Sequence, residues 1–268
     1  MPILCSENLD VYHNLALEEL ALERSGKDPL LLLWRSASAV VMGKNQNPWR
    51  ECRMDRMKTD GVPLARRISG GGTVYHDKGN LNYAVVIARS EYTEDLVFEM
   101  VLQALATCGV YAEKTGKSNL SLNGLKFSGN AFCFRKGWAL HHGTLLLHAN
   151  LDRLGYYLGS MPGTFQTKAI ASEPAPVTNL HLPLEKVETA LRKSFLAHYP
   201  SASSSSWTPD SAPLQQRIAR HTSAEWIFER TPRFVLEKEG LRLEVEKGKI
   251  VQATGSGANA LIGTRFTL

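Results

Sequence analysis

Cysteine is scarce and unpatterned: four residues, at positions 5, 52, 108 and 133, with no CxxC spacing. That excludes a disulfide framework or a cysteine zinc site as the organising device and suits a reducing compartment. Long apolar runs are lacking too. No stretch approaches the roughly 18 residues that a membrane span needs, and Met1–Glu7 shows no basic segment leading into an apolar one, so no secretory signal is expected. Runs of like charge are also absent. The net charge is +5, from 31 Lys+Arg against 26 Asp+Glu, and the nearest basic clusters are Arg66-Arg67 and Arg135-Lys136. Charge so scattered builds no nucleic-acid arm. The expectation is a cytoplasmic protein with neither a nucleic-acid nor a membrane partner, and no internal repeat.

What is present suffices for a large core: 268 residues, 43% hydrophobic and 21% charged, enough for one large domain or a domain with a small appendage. Asp10 can cap a helix to about Arg24, with Gly26 as its stop and Glu18 and Glu19 as its more exposed residues. Leu30–Trp34 reads as a buried strand with Ala39–Met42 as its partner. Gly43–Trp49 is a polar loop whose amide side chains can staple a turn. Thr93 can cap a covering helix to Cys108, stopped by Gly109. Asn123-Gly124 predicts a type I′ hairpin turn between Leu120–Leu122 and Leu125–Ser128. Strand alternation then places Leu125 and Phe127 on one face and Lys126 with Ser128 on the other. His141–Leu147 reads as a strand whose two adjacent histidines face opposite ways. Further on come a stiff Glu173–Val177 loop and a helix through Leu184, Val187, Leu191 and Phe195. A low-complexity loop follows, from Ser201–Ser206 through Pro209 and Pro213, and then a small β-meander after Trp226.

The most distinctive stretch is Arg66-Arg67-Ile68-Ser69-Gly70-Gly71-Gly72-Thr73-Val74-Tyr75-His76-Asp77. Three glycines leave the backbone without Cβ atoms, so a ligand can lie against the amide N–H groups. Arg67 adds a fixed charge beside them. Thr73–Tyr75 reads as a strand, Asp77–Asn80 as a turn and Leu81–Ile87 as a return strand, so the glycines are expected to open a hairpin.

Six pieces occur in order: Asn14–Glu19, Gly43–Asn47, Arg66–Asp77 with Gly79-Asn80, Lys126–Ala131, His141–Leu146 and Val177–Leu180. With Phe195–Tyr199, Glu225–Phe228 and Thr231–Phe234 behind them, the chain resembles a lipoate–protein ligase of the biotin/lipoate ligase superfamily, which also includes lipoyl and octanoyl transferases. The resemblance implies a mixed α+β fold: a central, largely antiparallel sheet flanked by helices, with a short C-terminal β-rich appendage. Its implied division is a catalytic domain over 1–222 and a truncated accessory region over 223–268. The implied reaction activates lipoate with ATP, then passes the lipoyl group from lipoyl-adenylate to a lysine of an acceptor lipoyl domain. Such acceptors are a dehydrogenase E2, a glycine cleavage H-protein or a similar lipoate-binding protein.

The same resemblance implies roles for single residues. Lys126 is the catalytic residue, holding the lipoate carboxylate and then the adenylate's carbonyl oxygen. Gly70, Gly71 and Gly72 offer amides to the adenylate, with Arg67 steadying the anionic groups. Ser69, Val74, Tyr75, His76 and Asn80 complete that side of the binding set. Ser128, Gly129, His142, Gly143 and Thr144 form the rest, with His142 in a positioning role. ATP and Mg²⁺ are the implied cofactors and lipoic acid is the substrate.

Three departures bear on this. Asn119 stands where ligases usually carry Asp as a metal ligand, and an amide holds Mg²⁺ less well than a carboxylate. Ser172-Glu173-Pro174-Ala175-Pro176 replaces a loop that is usually basic, and the accessory region stops early. They leave room for a separate accessory subunit. They also keep open a lipoyl/octanoyltransferase that takes a pre-activated acyl donor without ATP. Some transferases use a cysteine nucleophile; Cys133 matches no such position and reads as a small buried residue. A catalytically inert binding module on the same fold is the remaining reading, against which Arg67, the glycines, Lys126 and His142 keep the residue types the chemistry needs.

Overall fold

The structure is a computed structural model that describes residues 3–24, 28–200 and 208–266; the expectations for Gly26 and Ser201–Ser206 lie outside the described residues. Its first elements are β1 (Ile3–Ser6), α1 (Val11–Glu23), β2 (Leu30–Trp34), β3 (Ala39–Met42), α2 (Pro48–Glu51), α3 (Met54–Thr59), β4 (Leu64–Arg66) and β5 (Val74–His76). Next come β6 (Asn80–Ala88), α4 (Glu94–Thr107), β7 (Glu113–Thr115), β8 (Asn119–Leu122), β9 (Leu125–Arg135), β10 (Trp138–Leu146), α5 (Leu151–Tyr157) and β11 (Thr164–Thr167). The chain continues with α6 (Leu184–His198), α7 (Ser211–Thr222), a π-helical turn (Glu225–Glu229) and β12 (Phe234–Lys238), β13 (Leu241–Glu246) and β14 (Lys249–Thr254). These fall into two compact units. The first holds Met1–Ala37, His76–Leu151 and Pro174–Ile218; the second holds Ser38–Tyr75, Asp152–Glu173 and Ala219–Leu268.

The first unit is built on a seven-stranded sheet in the order β1-β2-β6-β10-β9-β8-β7, antiparallel except for the β1–β2 pair. Residues 31, 33, 83, 85 and 87 of its central strands, all apolar, pack against Val97, Phe98 and Val101 of α4 and Val187, Leu191 and Phe195 of α6. Helix α1 lies against β2, β6 and β10. With both faces of these strands buried, β2 runs apolar throughout and β6 does so from Tyr83 to Ala88. Asp10 caps α1 as expected, its carboxylate accepting from His13 N at 2.8 Å. Thr93 caps α4 in the same way, and Gly109 ends it at φ +87°.

The second unit carries a three-stranded sheet (β4-β3-β5) and a four-stranded one (β11-β12-β13-β14). Trp49 stacks among Phe228, Phe234 and Phe266 in its core. The meander of the C-terminal region is present as expected, and its first strand pairs with β11 from earlier in the chain.

Several expectations are corrected. Ala39–Met42 is not the partner of β2: β3 pairs with β4, whereas β2 pairs with β1 and β6. The glycines open no hairpin, because β5 joins the three-stranded sheet and β6 the seven-stranded one. Glu18 and Glu19 are buried, each 2% exposed. Pro213 sits in the first turn of α7, where proline costs no helix hydrogen bond, so that part of the expected loop is helical. Cys133 is half-buried rather than buried. Among the described residues no helix is long and apolar enough to cross a membrane.

Candidate functional site

Strands β9 and β10 are paired from Arg135↔Trp138 to Asn130↔Gly143. Beyond that point they part: β10 continues along β6 to Leu146↔Asn80, and β9 continues along β8 from Gly129↔Asn119. At the parting, Gly129 N donates not to a β10 carbonyl but to Thr144 Oγ1, at 3.2 Å. A Cβ on Gly129 would stand 3.3 Å from both Cε and Nζ of Lys126, so the lysine side chain runs directly over this glycine. The cross-strand partners Thr144↔Asn82 and Leu146↔Asn80 place Asn80 on the same sheet face as Thr144 and His142. There Asn80 donates to Asn82 Oδ1 at 3.1 Å.

The Asn123-Gly124 turn forms, with φ of +51° and +77°. A β-bulge follows it, since Leu120 pairs with Ser128 but Ser121 with Lys126. Phe127 is the extra residue, and the bulge breaks the expected alternation. Lys126 thus shares a face with Gly129, while Ser128 turns to Asn130 on the opposite one, with Oγ accepting from Asn130 Nδ2 at 3.2 Å.

Glu18, absent from the sequence-based set, organises the Lys126 face. His142 Nδ1 donates to Glu18 Oε2 at 2.6 Å, and Trp34 Nε1 donates to Glu18 Oε1 at 2.9 Å. The Trp34 ring stands edge-on to His76, centroids 5.5 Å apart. One buried carboxylate thereby fixes two rings of this face, with both of its oxygens hydrogen-bonded. The neighbouring Glu19 accepts from Arg135 at 2.7 Å, and Arg135 also reaches Glu23 at 2.6 Å. Burial alone would raise the Glu23 carboxyl, but its hydrogen bonds from Arg217 and Arg135 bring it below its ordinary value. The sequence signal was present: two acids embedded among Leu15, Ala16, Leu17 and Ala21 on a helix buried nearly all round.

The opposite face is structural. His141 is packed edge-on against Phe98 and Phe132 and donates through Nε2 to Asn130 Oδ1 at 3.0 Å, while Tyr92 Oη reaches its Nδ1 at 3.4 Å. Tyr83 Oη donates to the same Asn130 oxygen. A Cβ on Gly143 would fall 2.3 Å from that oxygen, so this glycine makes room for the network. Burial first, then the charges of His142 and Lys114, lower the His141 pKa well below its ordinary value. The unfolded imidazole takes up a proton near pH 6.5 and the folded one does not, so stability is full above that pH and falls as pH drops. The expected slope for this group approaches about 1.4 kcal/mol per pH unit. Urea midpoints between pH 7 and 5 should flatten measurably in His141→Phe.

In the second unit Arg67 is buried against the glycine ribbon it precedes. Its Nη2 donates to Gly70 O at 2.5 Å and Gly72 O at 2.7 Å, and its Nε to Ser69 Oγ at 3.1 Å. Gly71 is left-handed at φ +83°. Gly43 approaches so closely that a Cβ there would lie 2.3 Å from Gly71 O. Gln46 Oε1 accepts from Gly43 N at 2.9 Å and from Thr73 Oγ1 at 2.8 Å; its Nε2 reaches Ser172 Oγ at 3.0 Å, which also accepts from Thr73 N at 2.9 Å. The amide-rich loop is therefore a clasp on the ribbon as well as the cap of α2, through Asn47. Tyr75 is buried with its hydroxyl 3.1 Å from Ser38 Oγ, and Val74 is half-buried.

The sequence-based set thus divides. Lys126, Gly129, His142, Thr144, Asn80 and His76 are in the first unit, as are Ser128 and Gly143, which serve its other face. Arg67, Ser69, Gly70, Gly71, Gly72, Val74 and Tyr75 are in the second. Asn119 is the β8 partner of Gly129. Among the described residues no three His, Cys, Asp or Glu side chains converge to hold a metal.

The chain matches the family model of the lipoyl protein ligase A/B catalytic domain over residues 10–196, and it belongs to that family. P. falciparum LipL1, solved in complex with lipoate, is similar over 92% of this chain and 82% of its own, at 27% identity and a TM-score of 0.73. The bi-partite lipoate protein ligase of Thermoplasma acidophilum, solved in a study of that enzyme and its E2 lipoyl domain, is similar over 84% and 94%, at 25% identity and a TM-score of 0.67. A lipoate-protein ligase A bound with ATP shares the fold at 24% identity and a TM-score of 0.66, over 84% of this chain and 96% of that one.

Proposed function

We propose that the chain is a lipoate–protein ligase that uses ATP. In the first step the lipoate carboxylate attacks the α-phosphorus of ATP and pyrophosphate leaves, giving lipoyl-adenylate. In the second, an acceptor lysine amine attacks the acyl carbon, AMP leaves and the amine loses a proton. The observation that carries this reading is Lys126 Nζ laid over Gly129 beside Thr144, on a face ordered by the buried Glu18–His142 pair. A cation held there can pair with a carboxylate, then with the charge that develops on the carbonyl oxygen during transfer. The ribbon of Gly70, Gly71 and Gly72, held by Arg67, is proposed to receive the adenylate. Ser69, Val74 and Tyr75 support that role; in the first unit His76 and Asn80 serve substrate binding, and Ser128 and Gly143 act by holding β9 and β10 in place. Mg²⁺ would enter with the nucleotide's phosphates, and no step is assigned to it.

Two similar structures, one with lipoate and one studied with its E2 lipoyl domain, support lipoate as substrate and a lipoyl domain as acceptor. The catalytic part is taken as 1–222 and the accessory region as 223–268. Asn119 and the proline-containing Ser172–Pro176 loop favour keeping one alternative, a lipoyl/octanoyltransferase using a pre-activated donor. The deciding experiment supplies lipoate, ATP, Mg²⁺ and an acceptor domain, and follows pyrophosphate. Release coupled to acceptor lipoylation is the expected result; modification only from an acyl-protein donor would replace the ligase with the transferase.

Gly129→Ala provides a finer test. Its methyl would push the lysine terminus by a few tenths of an ångström, and misplacement on this scale should slow transfer about tenfold while the unfolding midpoint barely moves.

A further inference from the structure

Where β9 and β10 part, another stretch of the first unit lies along the gap. Lys126 N donates to Pro176 O at 2.9 Å, and Thr178 N donates to Lys126 O at 2.9 Å. The same stretch then crosses to the other strand. Leu180 N donates to Leu146 O at 2.8 Å and His181 N to Leu147 O at 3.0 Å. Residues 176–181 are thus a wedge, bonded to β9 at Lys126 and to the end of β10. Both backbone polar groups of Lys126 are committed to it.

Asn179 fastens the wedge. Its Oδ1 accepts from Ala149 N at 2.9 Å and its Nδ2 donates to Ala149 O at 2.9 Å, a two-point grip on one backbone residue. This grip fixes which residue of the wedge stands opposite Lys126. Register would otherwise be weakly determined there: Lys126 lies between a two-residue turn and a β-bulge, and its pairing on that side comes from an isolated bridge to Val177. A lysine side chain carries considerable rotamer freedom of its own, so the position of its terminus depends on how firmly its backbone is held.

We infer that Asn179 is a positioning residue for Lys126, acting through the Pro176–Thr178 backbone. The inference rests on the role assigned to Lys126 under Proposed function. Asn179 itself touches Ala149 and no reacting group.

The test is a double-mutant cycle on the transfer step, with presynthesised lipoyl-adenylate and an acceptor lipoyl domain as reactants. Asn179→Asp is nearly isosteric but sets a carboxylate oxygen against Ala149 O. In the otherwise wild-type chain it should slow single-turnover transfer by about tenfold to a hundredfold, the usual cost of misplacing a catalytic group by up to about 1 Å. In a Lys126→Ala background the same substitution should change the rate by less than about twofold, because the group it positions is gone. A merely structural loss would slow both backgrounds alike, and that result overturns the inference. So does a wild-type rate in Asn179→Asp alone. A wild-type rate in Lys126→Ala instead overturns the role of Lys126 itself, so the two failures are told apart. If Asn179→Asp does not fold, Asn179→Ala, which removes the grip without burying a charge, is read by the same criteria.

Discussion

Lys126→Ala is expected to slow both lipoyl-adenylate formation and lipoyl transfer by about 10²–10³-fold, equivalent to roughly 3–4 kcal/mol of barrier in each step. The size follows from where the side chain sits. Lys126 is half-buried, its terminus lies over Gly129, and its backbone N–H and C=O are both bonded to the 176–178 stretch. A cation so placed needs little reorganisation to meet a developing negative charge, and that is why such donors carry large effects. The glycine beneath it matters because any side chain at 129 would contest the same space. Assaying the half-reactions separately, pyrophosphate release for the first and acceptor mass for the second, checks the prediction. A folded variant with near wild-type rates in both would remove Lys126 from the chemistry.

Arg66→Met should destabilise the second unit by about 3–5 kcal/mol, read as a fall in the urea midpoint. The Arg66 side chain is 0% exposed. Its guanidinium donates to the carbonyls of Lys44 at 2.8 Å, Gln46 at 2.9 Å and Ile227 at 2.6 Å, and to Thr231 Oγ1 at 2.8 Å. Trp226 returns a bond from Nε1 to Arg66 O at 2.7 Å. Burial lowers its pKa to about 10, which still leaves it protonated at neutral pH. These partners are carbonyl and hydroxyl oxygens, so the arginine works as a fork that satisfies backbone acceptors of the Gly43–Asn47 loop and the π-helical turn. Methionine fills similar space but abandons those acceptors, and each buried unsatisfied group costs about 1–3 kcal/mol. Lysine, a single point with three donors, should recover only part of the loss. A change under about 1 kcal/mol in Arg66→Met would contradict this account.

What the sequence made legible was mostly local. The Asp10 and Thr93 caps, the Gly109 stop and the Asn123-Gly124 turn all depend on neighbours in the chain, and all are found. Strand partnership depends on residues far away. Nothing in Leu30–Trp34 says that it pairs with β1 and β6 rather than with the adjacent Ala39–Met42. The bulge at Phe127 is not written in the local sequence for a related reason: its partner strand decides it, and the local pattern fits simple alternation equally well. Glu18 reads from sequence as an exposed residue because acids on helices are normally solvated. Its burial makes sense only once His142 and Trp34 arrive from two different strands. In the same way, the amides of Gln46 and Asn47 suggested a stapled turn, but not that Gln46 would also hold Ser172 and Thr73 at the glycine ribbon.

The most direct measurement is the mass of an acceptor lipoyl domain mixed with this chain and presynthesised lipoyl-adenylate, timed against the same mixture without the chain. The account predicts one lipoyl group on one lysine, gained far faster than without the chain, with the advantage lost in Lys126→Ala. Equal rates with and without the chain, or an advantage that Lys126→Ala retains in full, would contradict it.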